Sequence, residues 1–321
     1  MRRGPLALGP GGEFDRLRAI FARLGAAARD LGDDAALVQL GGTTLAVSID
    51  LSLEGVHFRT AWLSFEDIGW RATAAALSDL AAEGARPIGV LVSLGIPSDD
   101  GRRRKDDAVD IMAGVGAAAR SAGTRVLGGD LVRSPRYLVD VCVFGLAARP
   151  VRRSGARPGD GLWVTGRLGG AGLALAALQR GGGPRLPRPL FRRFARPAPR
   201  IAAGRWLARR GARALIDISD GLAGDAGQLA AASGVRAEIA LEWLPCWPGV
   251  TPRAAALSGE EYELLAALPP RFAERDARAF RRATGLTLTR IGRCAAGRGV
   301  RLTDEGRLIP PLRGFDHFPP R

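Results

Sequence analysis

Lysine is almost absent from this chain: among 321 residues Lys105 stands alone, and arginine supplies the rest of the 47 basic side chains. No G-x-x-x-x-G-K-[ST] occurs, which excludes a Walker P-loop, and Lys105 sits in the wrong context to serve one. Histidine is nearly as rare, with only His57 and His317, and there is no G-x-S-x-G. A Ser-His-Asp hydrolase and a zinc centre therefore lack their raw material. The three cysteines, Cys142, Cys246 and Cys294, are far apart and never form C-x-x-C; they read as thiols of a reducing cytoplasm. No apolar run approaches the roughly 18 residues of a membrane span. The basic start Met1-Arg2-Arg3 has no hydrophobic stretch behind it, so a cytoplasmic location is expected rather than secretion. Aromatic residues make up only 6%, and neither basic run, 102–105 or 185–213, is interleaved with them as in single-strand binders. Both runs read as solvated surface, and nucleic acid is not expected as a partner despite the net charge of +15.

Acid is the scarcer charge, 32 residues against 47, yet it falls in a pattern. Five segments place a carboxylate where a strand-like run gives way to glycine or a turn. They are Gly32-Asp33-Asp34, Ser48-Ile49-Asp50, Ser78-Asp79, Gly128-Gly129-Asp130 and Asp217-Ile218-Ser219-Asp220-Gly221. One such segment is ordinary turn chemistry. Five together supply the hard oxygen ligands needed by a divalent cation that carries a nucleotide phosphate. The protein-kinase motifs are absent, and Gly169-Gly170-Ala171-Gly172 lacks the spacing of a dinucleotide fingerprint. Carboxylate-held magnesium acting on phosphates is the chemistry that survives.

The hydropathy pattern alternates helix and strand. Helices are expected over 13–24, 65–85, 108–122, about 199–210, 222–233 and 271–283, with another running from the glycines at 169–172 to Gln179. Strands are expected at 45–49, 88–96, 125–127, 137–146, 162–166, 214–218, 236–241, and near 287–293 and 299–302. Residues 181–189, rich in glycine and proline, read as a loop. Turn chemistry at Arg157-Pro158-Gly159-Asp160 separates two α/β halves, which places domains at 1–149 and 150–321.

On these residues the chain resembles thiamine-monophosphate kinases. The resemblance is carried by Gly32-Asp33-Asp34-Ala35-Ala36, by Asp50 through Glu54-Gly55-Val56-His57-Phe58, and by Leu77-Ser78-Asp79-Leu80-Ala81-Ala82-Glu83-Gly84-Ala85-Arg86-Pro87. Gly128-Gly129-Asp130, Arg153-Ser154-Gly155-Ala156, Arg196-Pro197-Ala198-Pro199-Arg200, Ile216 through Leu222, Gly259 through Leu264 and the tail Gly314-Phe315-Asp316-His317-Phe318 follow in the family's order. It implies an α/β (α+β) fold of the two-domain aminoimidazole ribonucleotide synthetase type, with N-terminal domains pairing into a dimeric β-barrel. It implies ATP- and Mg2+-dependent phosphorylation of thiamine monophosphate to thiamine diphosphate by a homodimer. By matching position, Asp33 or Asp34, Ser48, Asp50, Asp79, Asp130, Asp217 and Asp220 are expected to hold magnesium. Gly129, Asp130, Arg153 and Ser219 are expected to touch ATP, and His57, Glu260 and Phe315 to face thiamine monophosphate.

The accepting phosphate monoester has a second pKa of about 6 and is already ionised at neutral pH. No general base is therefore expected among the residues. The chain departs from the family pattern at Ile49 and Leu131, where threonine is usual, at Ser258-Gly259-Glu260-Glu261-Tyr262, and at Phe315 in place of Tyr or Trp. Two other functions remain open at this level: an ATP-dependent ligase of the aminoimidazole ribonucleotide synthetase kind, and a non-catalytic nucleic-acid-binding relative.

Overall fold

Strict alternation builds the first sheet. In strand β5 (Leu138–Ala147), Val139, Val141 and Val143 are buried while Asp140, Cys142 and Phe144 point to the other side. The structure, a computed structural model, describes residues 4–97, 107–182 and 186–318; the basic run at 102–105 lies outside them. Strands β1 (Ala36–Leu40), β2 (Thr43–Leu53), β3 (Arg86–Ile96) and β4 (Val126–Arg133) join β5 in the order β1-β2-β5-β3-β4. Among the described strands of this sheet only the β3–β4 pairing is parallel. The sheet is open within one chain, with β1 and β4 as its edges.

Helix α1 (Gly12–Leu24) lies outside the core with no buried residue. Helix α2 (Phe65–Ala82) is the opposite case. Ser64 caps it by accepting the Asp67 amide at 3.1 Å, Glu66 and Asp67 suit its N-terminal dipole, and its alanine-rich body is buried nearly all round. It packs on β2 and β5, crosses α3 (Asp107–Ser121), and touches the second half of the chain as well. The crossing depends on two glycines: a Cβ on Gly69 would run into the Ile111 carbonyl, and one on Gly114 into the Glu66 carbonyl.

The second sheet contains β6 (Gly161–Thr165), β7 (Ala214–Asp217), β8 (Arg236–Ala240), β9 (Leu264–Leu268), β10 (Leu288–Ala295), β11 (Gly299–Asp304) and β12 (Arg307–Leu308). Their order is β12-β11-β8-β10-β6-β9-β7. Around it lie α4 (Gly170–Gln179), α5 (Arg188–Ala195), α6 (Ile201–Arg209), α7 (Leu222–Ser233), α8 (Pro252–Leu257) and α9 (Glu274–Thr284).

Three expectations change. Strand β4 does not stop before Gly128-Gly129-Asp130 but runs through it, pairing Gly129 with Val92, where any side chain would strike the Val92 carbonyl. Asp50 lies inside β2 rather than at its end. The stretch 185–213 is not simply solvated surface. Its prolines precede a helix, α5, whose Arg193 is buried against Glu261 and Glu263 at 3.0 Å each, and Arg200 pairs with Glu263 too. Charge that the local sequence shows as unpaired is paired by residues about 60–70 positions later.

Candidate active site

The two halves enclose a cleft of about 920 Å³. Helix α2 delivers adjacent residues to both sides of it. Ser78 donates to Asp217 at the end of β7 at 2.7 Å, while Asp79 accepts from Ser48 of β2. Asp34, from the turn before β1, completes a trio: Asp34, Asp79 and Asp217 each offer an oxygen within 4.8 Å of the others. Asp50, Asp220 and Asp225 line the same cleft.

The electrostatics are those of crowded acid. Burial chiefly, then Asp34, raises the Asp217 carboxyl to about 7. Burial with Asp34 raises Asp33 to about 6, burial with Asp140 raises Asp50 to about 6, and burial with Glu13 raises Asp220 to about 6. Asp79 and Asp225 are pushed well up, by burial first and neighbouring carboxylates second. Among the described residues, the cation bound into the trio is Arg153, whose guanidinium reaches Asp34 at 2.8 Å while its amide donates to Asp33 at 2.9 Å. Burial lowers the Arg153 pKa, but Asp34 and Asp33 outweigh that and raise it. Oδ2 of Asp33, Asp34 and Asp225 is in each case buried without a hydrogen-bond partner among the described residues. Clustered carboxylates with orphaned oxygens are a donor set suited to a hard divalent cation.

The other wall is cationic and aromatic. Arg71 of α2, fully buried, donates to the Phe194 carbonyl, lies 4.0 Å over the Phe194 ring and pairs with Glu260. Glu260 and Tyr262 both hold left-handed backbone, at φ 59 and 49, and the Glu260 amide donates to the Ser219 carbonyl at 2.6 Å. His57 accepts the Leu53 amide at Nδ1, 3.0 Å away, and burial lowers its pKa. Its ring lies 5.2 Å from His317, which in turn meets Phe315 edge-on at 4.8 Å. The tail is fastened there: the Phe315 amide donates to the Asp220 carbonyl at 2.8 Å, and Asp316 caps α1 through the Gly12 amide at 2.6 Å.

The cleft thus gathers Asp33, Asp34, Ser48, Asp50, Asp79, Asp217, Asp220, Arg153, Ser219, His57, Glu260 and Phe315. Two expected residues are not gathered. Gly129 and Asp130 sit exposed on edge strand β4, outside this chain's cleft, and Asp130 accepts its neighbour's amide, from Leu131, at 2.9 Å. The sequence reading missed Arg71, Tyr262 and Asp225. An arginine within an alanine-rich helix was the available signal for Arg71, and an acid one turn beyond Gly221 the signal for Asp225.

The sequence matches the AIR synthase related protein N-terminal domain over residues 32–147 and its C-terminal domain over 157–305. It is 34% identical to the thiamine-monophosphate kinase of Aquifex aeolicus over 319 residues, covering 96% of this chain and 98% of that protein. Identity to the thiamine-monophosphate kinase of Halobacterium salinarum is 36%, over 90% of this chain and 96% of that one. Among solved structures, AaThiL complexed with AMPPCP and TMP superposes with a TM-score of 0.84 at 32% identity, covering 96% of this chain and 97% of the other.

Proposed function

The chain belongs to the thiamine-monophosphate kinases of the AIR synthase related family, and on that premise we propose how its own residues divide the work. It transfers a phosphoryl group from ATP to thiamine monophosphate, giving thiamine diphosphate. The observation that carries the assignment is the convergence of Asp34, Asp79 and Asp217 from three separate elements within 4.8 Å.

Asp33, Asp34, Ser48, Asp50, Asp79, Asp217 and Asp220 are assigned to magnesium, with the buried, unpartnered oxygens of Asp33 and Asp34 in support. Bound there, the metal would offset repulsion between two polyanions and orient their oxygens. Arg153 and Ser219 are assigned to the nucleotide side. Arg153 has its side chain already at Asp34, where it holds the carboxylate in place. Glu260, kept in position by buried Arg71, and the rim of His57 and Phe315 are assigned to thiamine monophosphate, whose cationic ring suits a carboxylate and an aromatic face. No side chain needs to take a proton from an acceptor that is already ionised.

Gly129 and Asp130 need a second copy. The outward face of the first sheet exposes Ile49 (67%), Val132 (54%), Leu127 and Leu51, an apolar surface ending at the β4 edge that carries Asp130. Pairing of this face across a homodimer, as a shared barrel of the domains at 1–149, would cover it and bring Asp130 to a partner's cleft; the domains at 150–321 would complete each site.

The test is an assay with ATP, Mg2+ and thiamine monophosphate, with Asp217→Asn alongside the wild type. Thiamine diphosphate is expected from the wild type, and a loss on the order of 100-fold or more in the variant. ADP released only with some other acceptor would overturn the assignment.

A further inference from the structure

Glu83 caps the C-terminus of α2 and is wholly buried. Little there favours a carboxylate. A helix C-terminus presents free carbonyls and the negative end of the dipole, and neither Glu83 oxygen makes a well-formed hydrogen bond among the described residues. Its neighbours add to the cost. One oxygen each from Asp33, Asp34 and Glu83 lies within 4.8 Å of the others. Burial, then Asp33 and Asp34, pushes the Glu83 carboxyl well above the usual range, and the Ala35 amide and Arg152 pull it only part of the way back.

The nearby donors are already used. Asp33 Oδ1 accepts the Arg153 amide, and Asp34 Oδ1 the Arg153 guanidinium. Asp33 Oδ2 lies 3.7 Å from Arg152 Nε, a charge contact without a hydrogen bond, and Asp34 Oδ2 has no partner. Among the described residues these four buried oxygens on three side chains make no well-formed hydrogen bond, with only the Ala35 amide and Arg152 close by, which is costly in a protein interior. A hard divalent cation satisfies oxygens and charge together, and oxygens ~2.0–2.6 Å from such an ion fall within about 5 Å of each other.

We propose that Asp33, Asp34 and Glu83 hold a second divalent cation of magnesium type, behind the Asp34, Asp79 and Asp217 cluster, with Asp34 bridging the two. This rests on reading the latter trio as the first cation site. The first ion faces the cleft. The second ties the 32–35 turn to the end of α2 and the 152–153 segment, and so fixes the bridging carboxylate from behind. Its route in is the cleft itself, which Gly32, Asp33 and Asp34 line.

The test counts Mn2+ bound per full-length chain without nucleotide, from the free-ion paramagnetic signal, in wild type, Glu83→Gln and Asp217→Asn. Glu83→Gln is expected to bind one ion fewer than wild type, and Asp217→Asn to lose the other. A wild-type count in Glu83→Gln beside a loss in Asp217→Asn would overturn the second site alone. Unchanged counts in both would overturn the cation reading of the whole cluster. Glu83→Met guards against a folding defect and gives a readout separate from catalysis. In EDTA it should melt above wild type, because an unpaired buried acid is gone, and it should gain less than wild type from added Mg2+. Equal Mg2+-induced shifts in the two proteins would overturn the proposal.

Discussion

At the scale of single residues, the cleft acids give the chain a pH dependence of known sign. Asp33, Asp50 and Asp220 have carboxyls raised to about 6 and Asp217 to about 7, from 3.8 in the unfolded chain. Between those values the unfolded state has released protons that the folded state keeps, so stability falls as pH rises. In EDTA, the melting temperature is expected to drop from about pH 4 through pH 7. Saturating Mg2+ should reduce the drop, because cations bind the deprotonated carboxylates. Calorimetry across that range with and without Mg2+ checks it, and a melting temperature that climbs over the same range in EDTA would contradict these shifts. The acids were legible in the sequence because acid is scarce in an arginine-rich chain and each lies in a glycine- or serine-marked segment. Arg71 and Glu83 were not, because what distinguishes them is burial beside residues distant in sequence, Phe194 and Glu260 for one, Asp33 and Asp34 for the other.

At the scale of elements, α2 organises the site. It carries Ser78 and Asp79, presses on the first sheet, and is clamped to the second half by Trp70, which donates to the Pro197 carbonyl at 2.8 Å, and by Arg196, which pairs with Glu66 and Asp67. Its closeness to α3 rests on reciprocal glycine contacts, so Gly69→Ala should act through overpacking and cost about 1–3 kcal/mol. Denaturant melts of the variant measure this, and a cost under about 0.5 kcal/mol would show that the crossing has slack. The helix was readable from its alanine-rich amphipathic pattern and the acids Glu66-Asp67 that open it. Helix α5 was hidden by prolines that suit a helix start as well as a loop. Strand β9, Leu264–Leu268, is buried at every position and shows no alternation to read.

At the scale of the whole molecule, the proposed pairing through the exposed apolar face of the first sheet makes a prediction about assembly. Val132→Glu is expected to convert a dimer into a monomer by light scattering, and to reduce turnover because Asp130 loses its partner's cleft; a dimer unchanged by this variant would argue against that face. The two-halved α/β architecture was legible because each half shows its own strand and helix alternation. How the halves meet was not, since Ser78 with Asp217, Asp34 with Arg153, and Arg71 with Glu260 are pairs 119 to 189 residues apart. Those pairs bear on recombination. A crossover after β5 and before Arg153 leaves both sheets whole, so chimeras of two relatives should fold. Every one of the three pairs, however, would then join residues of different ancestry. Shuffled libraries cut there should yield stable proteins whose activity survives only where both parents share those pairs, so the cleft is inherited as a unit although no single half contains it.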